Sequence, residues 1–495
     1  MIAGVALRDL AHRPARSALL FGAFGVGVAV MIVLLAIGQA LLVQASDERL
    51  IGGGTVTVLP EGVDVEVMKT GGVGGLFFSI ANARFIYAQL LASPRLARNV
   101  TAAAPQIDGK LLYLRTRRGE IAVRASGEIP SRNAAVGVAL PLAAGEWNDD
   151  EGDRRWIAPT PRELYDGIDH FHRPPDEVLH PESWAEWHYF NVLSEDGRRW
   201  AFISFMVAGD VRGAKWEGRV AVTLRELGGA TRRFTSTEPP REVRFSTTTA
   251  DLDIGDSRVR VLDDGRYDVR ATIPPAQGET GLALHLVVAP APRAFFPGAT
   301  LTTGPFTSGY AVAALRASAT GEICAGTSCH RFVDAQAYHD HNWGVWRAVS
   351  WDWGSARAGP YTLLYGRVEP PVGVAPSAPV IVYLIDSLGF RSLFRPRGIA
   401  YDDGRVLTVG TIALAVPSRA ELIDERDSDT LRVDLTIEDA IATDTRRIVD
   451  RGDVSATESP PQPFFVQMKG HARLSGRLGG VPLTGDGEGF FETFR

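Results

Sequence analysis

The sequence is poor in cysteine, in methionine and in long runs of like charge. Of its 495 residues two are cysteines and five are methionines, and the net charge is −6. Without a basic excess the chain lacks the electrostatic signature of a nucleic-acid-binding protein. Hydrophobic residues make up 45% and charged residues 22%, which is typical of folded protein. At this length we expect two or three folding units.

The two cysteines lie close together, as Cys324 and Cys329 in "CAGTSC". The four residues between them suffice to close a small loop if the flanking chain forms a hairpin. A metal site would need more ligands at a repeated spacing. In an oxidising compartment we therefore expect a disulfide, with free thiols as the alternative.

One long apolar run stands near the N-terminus. Residues 17–46 carry no charge, with Arg13 and Arg16 before them and Asp47 and Glu48 after them. About 20 apolar residues span a bilayer as a helix, and a basic flank stays on the cytoplasmic side. A cleaved signal peptide is the alternative, but its apolar region usually has about 7–15 residues. We predict a single-pass anchor in the cytoplasmic (inner) membrane, with the bulk of the chain extracytoplasmic.

The same region resembles the first segment of a class of transporter subunits. "GVALRDLAHRPARSALLFGAFG", with Arg13-Pro14-Ala15-Arg16, is similar to the start of permeases of the macrolide-exporter and lipoprotein-release type. The resemblance implies an ABC transporter permease as a partner. Those permeases carry further membrane helices near the C-terminus, whereas no second apolar run of this length and no P-loop motif occur in this sequence. We therefore do not expect the chain to transport anything by itself.

Helical periodicity is nearly absent from residue 184 onward. Apolar-alternating runs flank the turn pairs Asp196-Gly197, Asp264-Gly265 and Asp403-Gly404, which are hairpin signals. One hairpin after another indicates a barrel or a sandwich, and about 310 residues exceed one eight-stranded barrel. The sequence predicts a mainly β fold with two consecutive β-barrel domains after an N-terminal transmembrane helix. Two tryptophan-rich strands, "ESWAEWHYF" and "HNWGVWRAVSWDWG", hint at internal duplication.

These patterns divide the chain into four parts. We place the cytoplasmic N-terminus and membrane helix at 1–46, an extracytoplasmic α/β or linker region at 47–155, the first barrel at 156–329 and the second at 330–495. The stretch "TPRELYDGIDHFHRPPDEVLHPE" is rich in proline and histidine and is interpreted as a linker or long loop.

The densest group of chemically active residues is "AYHDHNWG", residues 337–344. Side chains on a strand alternate between its faces, which gives one face with Tyr338, Asp340 and Asn342 and another with His339, His341 and Trp343. The two histidines could bind a metal with His330, or with the pair in "HFH" at 170–172, but the sequence fixes no third ligand. We predict no metal.

The other face suggests acid–base chemistry. Burial raises the pKa of an aspartate, so Asp340 in an apolar barrel could keep its proton and protonate an alkene. Tyr338 would position it, and Trp343 would stabilise the resulting cation through its ring face. In the plainer alternative, Asp340 and Asn342 hydrogen-bond at the barrel rim and Trp343 fills the end of the barrel.

A second candidate lies in "EWHYF". There Glu186 and His188 share one face of the predicted strand, and Trp187 and Tyr189 the other. Pointing inward, the first pair could act as a proton shuttle. Pointing outward, it would be an ordinary solvated face, and the sequence leaves both alternatives open.

These segments also resemble a known family. "AYHDHNWG", "ESWAEWHYFNVLSEDGRRWAFISF" and the closing "GDGEGFFETF" are similar to the lipocalin-like family of carotenoid 1,2-hydratases (hydroxyneurosporene synthases) and AttH proteins, over residues 160–495. The resemblance implies two lipocalin-like barrels, and it implies cofactor-free hydration of an isoprenoid double bond by Tyr338 and Asp340. The hydratases also use a His-x-Trp pair about thirty residues upstream of the aspartate. The corresponding stretch here, "FTSGYAVAALRA", contains neither residue, and His188 in "EWHYF" is the candidate substitute for the missing histidine.

Together these observations predict a membrane-anchored lipocalin-like protein that binds an apolar, isoprenoid-like ligand or lipid. As an enzyme it would be a cofactor-free hydro-lyase; the alternative is a non-catalytic, lipid-binding accessory protein of an ABC export system. The predicted catalytic residues are Asp340, Tyr338 and Trp343. The predicted ligand-binding residues are His339, His341, Asn342, Glu186, Trp187, His188 and Tyr189.

Overall fold

The computed structural model describes most of the chain from residue 83 onward, together with one N-terminal helix. The described residues are 14–46, 83–84, 86–88, 91, 93–117, 119–137, 148–178, 180–275, 280–303, 306–371, 373, 379–426, 428–445 and 462–495. They form two compact units, one from residues 1–79 and 102–153 and the other from residues 80–101 and 154–495.

The described part of the first unit contains two helices and a hairpin. They are α1 (Pro14–Ser46), β1 (Gln106–Thr116), β2 (Gly119–Glu128) and α2 (Pro130–Ala135). Within α1 the stretch Ser17–Ala36 has a mean hydropathy of 2.7 and none of it is buried. By length and composition this helix matches either a membrane span or a signal sequence.

Two short helices precede the sheets of the second unit, the first of them at the boundary between the two units. Helix α3 (Glu151–Ile157) is followed by α4 (Pro161–Asp169), inside the segment that we expected to be a linker or loop. That expectation was wrong for α4. Thr160 accepts the backbone N–H of Glu163 while the Glu163 carboxylate accepts that of Thr160, a capping box that starts the helix.

Twelve strands form the first sheet. They are β3 (Trp184–Leu193), β4 (Arg199–Asp210), β5 (Lys215–Glu226), β6 (Arg232–Glu238), β7 (Val243–Phe245), β8 (Leu252–Ile254), β9 (Ser257–Val261), β10 (Tyr267–Ile273), β11 (Leu282–Pro290), β12 (Phe296–Thr303), β13 (Phe306–Ala325) and β14 (Ser328–Val345). Their order is β6-β5-β4-β3-β14-β13-β11-β10-β9-β8-β7, with β12 paired to β13. All pairs are antiparallel, and the sheet curls into a nearly closed barrel, barrel 1.

Nine strands form the second sheet, and two more form a separate hairpin. The strands are β15 (Ser350–Ala358), β16 (Tyr361–Glu369), β17 (Ile381–Asp386), β18 (Gly389–Phe394), β19 (Ala400–Asp402), β20 (Arg405–Val409), β21 (Ile412–Val416), β22 (Arg419–Arg426), β23 (Asp429–Asp444), β24 (Phe464–Leu478) and β25 (Val481–Phe494). The sheet order is β18-β17-β16-β15-β25-β24-β23-β22-β19, and β20 pairs with β21. This sheet forms half a barrel, barrel 2.

The fold class predicted from the sequence is confirmed: the chain is mainly β, with a nearly closed barrel followed by a half barrel. Each sheet is a meander whose first strand pairs with its last, β3 with β14 and β15 with β25. The predicted boundary at 329/330 needs correction, because it cuts the β13–β14 hairpin. Strand β14 continues barrel 1 as far as Val345, so the boundary lies in the turn at 346–349.

Alternation along the strands gives each barrel an apolar interior. Phe190, Phe205 and Leu286 are among the fully buried side chains of barrel 1, and Tyr365 and Phe491 among those of barrel 2. The opposite faces of several strands pack the barrels against each other. One shared cluster contains Val312, Leu315, Tyr338, Trp353, Leu364 and Tyr383.

The predicted disulfide is present. Cys324 and Cys329 are directly opposite on β13 and β14, with their Cα atoms 4.0 Å apart. It closes the hairpin that ends barrel 1.

Candidate active site and buried polar cluster

Strand β14 presents two chemically different faces, as strand alternation predicts. One face points into barrel 1 and carries His339, His341 and Trp343, while the other packs towards barrel 2 and carries Tyr338 and Asp340. We call the group on the barrel 2 side the inter-barrel site and the group inside barrel 1 the interior cluster.

Asp340 is the centre of the inter-barrel site and is 3% exposed. Its Oδ2 accepts a hydrogen bond from the Tyr338 hydroxyl (2.7 Å), and its Oδ1 accepts one from the Asn342 amide (2.7 Å). The indole N–H of Trp353, on the first strand of barrel 2, donates to the Tyr338 oxygen (2.8 Å). Burial outweighs these bonds and raises the pKa of Asp340 to about 6.

A second carboxylate faces Asp340 from barrel 2. Glu492, on β25, is 7% exposed and accepts hydrogen bonds from the Tyr189 hydroxyl (2.6 Å) and the Trp351 indole (3.1 Å). Burial, reinforced by the nearby charge of Asp340, raises the pKa of Glu492 to about 7. Two buried carboxyl groups with raised pKa values, each bonded to a tyrosine, can hold a proton near neutral pH.

A cluster of aromatic rings lies next to these acids. Trp351 contacts Phe494 (ring centroids 4.6 Å apart), Phe465 (5.3 Å) and Trp346 (5.5 Å), and Trp346 contacts Trp187 (4.7 Å). Four of the five rings are only partly buried. Since Trp351 also bonds to Glu492, the cluster connects solvent with a buried acid through an apolar, π-rich surface.

A small cavity lies between the barrels beside Tyr338. Its lining includes Gln336, Ser355, Arg357 and Thr362, and it has room for about one water molecule. The hydroxyl of Thr362 is buried and has no hydrogen-bond partner among the described residues. Leu315, Ala356 and Phe490 also belong to the wall, so the cavity is mixed in character, and its unsatisfied hydroxyl is a group that an ordered water would satisfy.

The interior cluster is built around Asp169, the last residue of α4. Its Oδ2 accepts the Tyr267 hydroxyl (2.9 Å) and lies 2.9 Å from Nε2 of His339 and 3.6 Å from Nδ1 of His188. Its Oδ1 lies 3.0 Å from Nδ1 of His341. All five side chains are fully buried. Burial opposes ionisation, but the neighbouring imidazoles outweigh it and hold the pKa of Asp169 well below its usual range.

From His341 the cluster continues towards the surface. Nε2 of His341 lies 2.9 Å from the Glu186 carboxylate, which also accepts Nδ1–H and the backbone N–H of His172 (2.8 and 2.9 Å). Burial alone would lower the pKa of His341, but its bonds to Asp169 and Glu186 raise it to about 9. His172 is partly exposed and stacks on Trp343, with centroids 4.0 Å apart.

Most of the site residues predicted from the sequence lie on the paired strands β3 and β14, but they are divided between the two faces of this pair. Glu186 and His188 point inward with the β14 histidines, which answers the question left open for "EWHYF". The role expected for Trp343 needs correction, because this ring lies on the histidine face, away from Asp340. Trp353 and Trp351 are the indoles at the inter-barrel site.

Other predicted partners lie elsewhere. His330 is on β14 near the disulfide, and His170 bonds to the Gly167 carbonyl at the end of α4. The sequence reasoning missed Asp169 and Glu492. Asp169 belongs to a segment interpreted as a loop, and Glu492 lies about 150 residues beyond Asp340, in a motif used only for its family resemblance.

No protein-family model matches the chain, and no curated protein matches it either. Among solved structures it is similar to an AttH candidate of Nitrosomonas europaea, with 17% identity, a TM-score of 0.44, and coverage of 65% of this chain and 96% of the other. It is also similar to kievitone hydratase of Nectria haematococca, with 10% identity, a TM-score of 0.39, and coverage of 66% of this chain and 94% of the other. A third similar structure is CghA in complex with Sch210972, with 17% identity, a TM-score of 0.39, and coverage of 68% of this chain and 96% of the other.

Proposed function

We propose that the inter-barrel site adds water to, or shifts a double bond in, an apolar unsaturated ligand without a cofactor. The observation that carries this proposal is that two buried acids on facing barrels, Asp340 and Glu492, both have raised pKa values and lie near enough for the charge of Asp340 to act on Glu492, next to partly exposed aromatic rings. Acid–base chemistry on an alkene needs a proton donor, a proton acceptor and a surface that tolerates positive charge. The site contains all three.

In the hydration step Glu492 gives its proton to one alkene carbon, and the π bond supplies the electrons for the new C–H bond. The cation on the other carbon is stabilised by the ring faces of the aromatic cluster, chiefly Trp351. A water oxygen then bonds to that carbon, and the proton it loses passes to Asp340, whose geometry Tyr338 fixes. Exchange of a proton from Asp340 back to Glu492 restores the site, and the net reaction adds H₂O.

The ligand class follows from the surroundings of the acids. The partly exposed rings beside Glu492 are those of tryptophan and phenylalanine. Isoprenoid chains combine apolar surface with double bonds that a carboxylic acid can protonate. The apolar helix α1 would hold the barrels at a membrane, where such ligands dissolve, and a carotenoid-type substrate is one member of this class.

The test is mass spectrometry of the lipids that co-purify with the full chain from cells that make isoprenoids. We expect a hydrated or isomerised lipid with the wild type and its unreacted precursor with Asp340→Asn and Glu492→Gln. Loss of a positioned acid or base lowers the rate by about 10²- to 10⁴-fold. The exposed Glu425→Gln on β22 is the control and should behave as the wild type.

The same unaltered lipid on all four proteins would refute catalysis and leave the inter-barrel site as a binding surface. The lipid-binding accessory protein is then the better explanation. That alternative predicts that replacing residues 17–45 by an unrelated membrane helix abolishes co-purification with a permease, while lipid binding is retained.

A further inference from the structure

The interior cluster has no part in the proposed reaction, because it lies on the opposite face of β14. We propose that Asp169, His188 and His339 form a binding site for one divalent transition-metal ion, for which Zn²⁺ is the natural probe.

The three side chains direct one ligand atom each to a common point. These atoms are Oδ2 of Asp169, Nδ1 of His188 and Nε2 of His339, and all lie within 4.8 Å of one another. The two nitrogens are 3.6 and 2.9 Å from the carboxylate oxygen. Ligands about 2.0–2.2 Å from a tetrahedral Zn²⁺ are separated by roughly 3.3 Å, so little movement is needed to admit an ion.

The opposite ring nitrogens fix which atoms are free to bind. Nε2 of His188 lies 3.0 Å from the Ala250 carbonyl, and Nδ1 of His339 lies 3.0 Å from the Tyr189 carbonyl. A carbonyl only accepts, so each of these nitrogens carries the hydrogen. In the neutral rings the remaining nitrogens therefore present lone pairs towards Asp169. Histidines that bind metals are usually held in this way, by a carbonyl or carboxylate on the far nitrogen.

His188 distinguishes a metal site from a network of hydrogen bonds. Its Nδ1 is fully buried and has no hydrogen-bond partner among the described residues, since 3.6 Å is beyond hydrogen-bond distance. A second proton on His339 would satisfy its bond to Asp169 without an ion. It would leave Nδ1 of His188 unpaired, and a buried unpaired acceptor is costly. A metal ion accounts for both histidines at once.

The surroundings orient the carboxylate ligand and connect it with solvent. Tyr267 donates to Oδ2 of Asp169, and His341 holds Oδ1. His341 bonds in turn to Glu186, and Glu186 to the partly exposed His172, so a polar path leads from the site to the surface. Two imidazoles and a carboxylate, without thiolate, are a donor set that suits Zn²⁺, Fe²⁺ or Co²⁺ better than Mg²⁺ or Ca²⁺.

The experiment uses the full chain, produced with added Zn²⁺ and dialysed to remove weakly held ion. We expect one Zn²⁺ per chain by elemental mass spectrometry, a fall in Tm when a chelator is added, and visible absorption bands when Co²⁺ is substituted. His188→Gln should lose the ion and the chelator-sensitive part of Tm. It removes no hydrogen bond from Asp169, so it should still fold, which far-UV circular dichroism checks.

His285→Gln, on the outside of the same barrel, is the matched control and should bind one ion as the wild type does. A wild-type protein that retains less than a tenth of an equivalent of Zn²⁺, with a Tm indifferent to chelator, would overturn the proposal. So would a folded His188→Gln protein that binds Zn²⁺ as the wild type does.

Discussion

The two barrels are both meanders whose first and last strands pair, but they neutralise a buried aspartate in different ways. In barrel 2 Asp352, on the first strand, accepts the Arg367 guanidinium (2.6 Å) and the hydroxyls of Tyr401 and Thr493 (both 2.7 Å). In barrel 1 the hydrogen-bond and ion-pair partners of Asp169 among the described residues are three histidines and a tyrosine. Arginine carries a permanent charge, whereas histidine can take a proton or a metal ion. Barrel 2 therefore contains a fixed structural ion pair, and barrel 1 a site whose charge can change.

Replacing each of the two aspartates by asparagine tests this contrast. Of the comparisons between the two barrels, it should give the largest change in the free energy of unfolding. We expect Asp169→Asn to lower the free energy of unfolding by about 4 kcal/mol, since it removes one of the two carboxylates that hold the charge of the buried His341 and disturbs the hydrogen bond that Tyr267 donates. Asp352→Asn should cost about 2 kcal/mol, because Arg367 is partly exposed and its charge remains solvated. Chemical denaturation in the presence of a chelator measures both. An equal or larger loss of stability for Asp352→Asn would contradict the proposed difference between the two barrels.

The surface between the barrels should respond to pH through Glu492. Its folded pKa of about 7 lies above its ordinary 4.5, so the native state binds the extra proton and stability falls as pH rises through this window. We expect up to about 3 kcal/mol to be lost between pH 5 and pH 8. Glu492→Gln, which mimics the protonated acid, should remove the part of this dependence that Glu492 contributes and leave the part due to the raised pKa values of Asp340 and His341, whereas Glu425→Gln should retain all of it. Parallel pH profiles for both variants would contradict the assignment.

The closing hairpins of the barrels differ as well. In barrel 1 Cys324 and Cys329 join β13 to β14, whereas in barrel 2 Gly479 and Gly480 make the turn between β24 and β25. Because the bridged loop is short, we expect the Cys324→Ala, Cys329→Ala double variant to lose about 2 kcal/mol of stability. Denaturation with and without reductant checks this. The wild type in reductant should match the variant, and a difference between them would point to strain from the substitutions.

The smallest expected change in stability concerns two tryptophans, one on the first strand of barrel 2 and one bonded to the first strand of barrel 1. Trp351→Phe removes the N–H that bonds to Glu492 while keeping a ring against Phe494, so we expect a cost of about 1 kcal/mol. Trp346→Phe removes a similar bond to the Ala185 carbonyl on β3 and serves as its counterpart. Only Trp351→Phe should also shift the pH dependence that Glu492 causes. An identical shift in both variants would argue against the Trp351–Glu492 bond.

Local patterns were enough to predict the architecture and part of the site. Asp-Gly turns and alternating apolar runs predicted two barrels, and the two-residue period of β14 separated Asp340 from the histidines correctly. The spacing of the cysteines predicted the disulfide. Each of these inferences depends on residues within one hairpin, where the sequence itself sets the geometry.

The missed residues depend on long-range packing. Asp169 reaches the histidines because a capping box at Thr160 starts α4, and the helix ends at the polar centre of barrel 1. Glu492 lies near Asp340 because β25 pairs with β15 and turns this side chain towards barrel 1, where it accepts the Tyr189 hydroxyl. No local period encodes either contact. The boundary at 329/330 was wrong for a related reason, since β14 must return to β3 to complete its sheet.

The pairing of β3 with β14 has a consequence for biosynthesis. About 150 residues separate these strands, so the barrel cannot complete its hydrogen bonding until residue 345 has left the ribosome, and contacts of such separation form slowly. Until then β3 and β13 each present an unpaired backbone edge, which is where other chains attach and aggregate. A nascent chain stalled within residues 200–327 is therefore the form most dependent on chaperones, and a protein truncated there should accumulate as aggregate rather than as a smaller barrel.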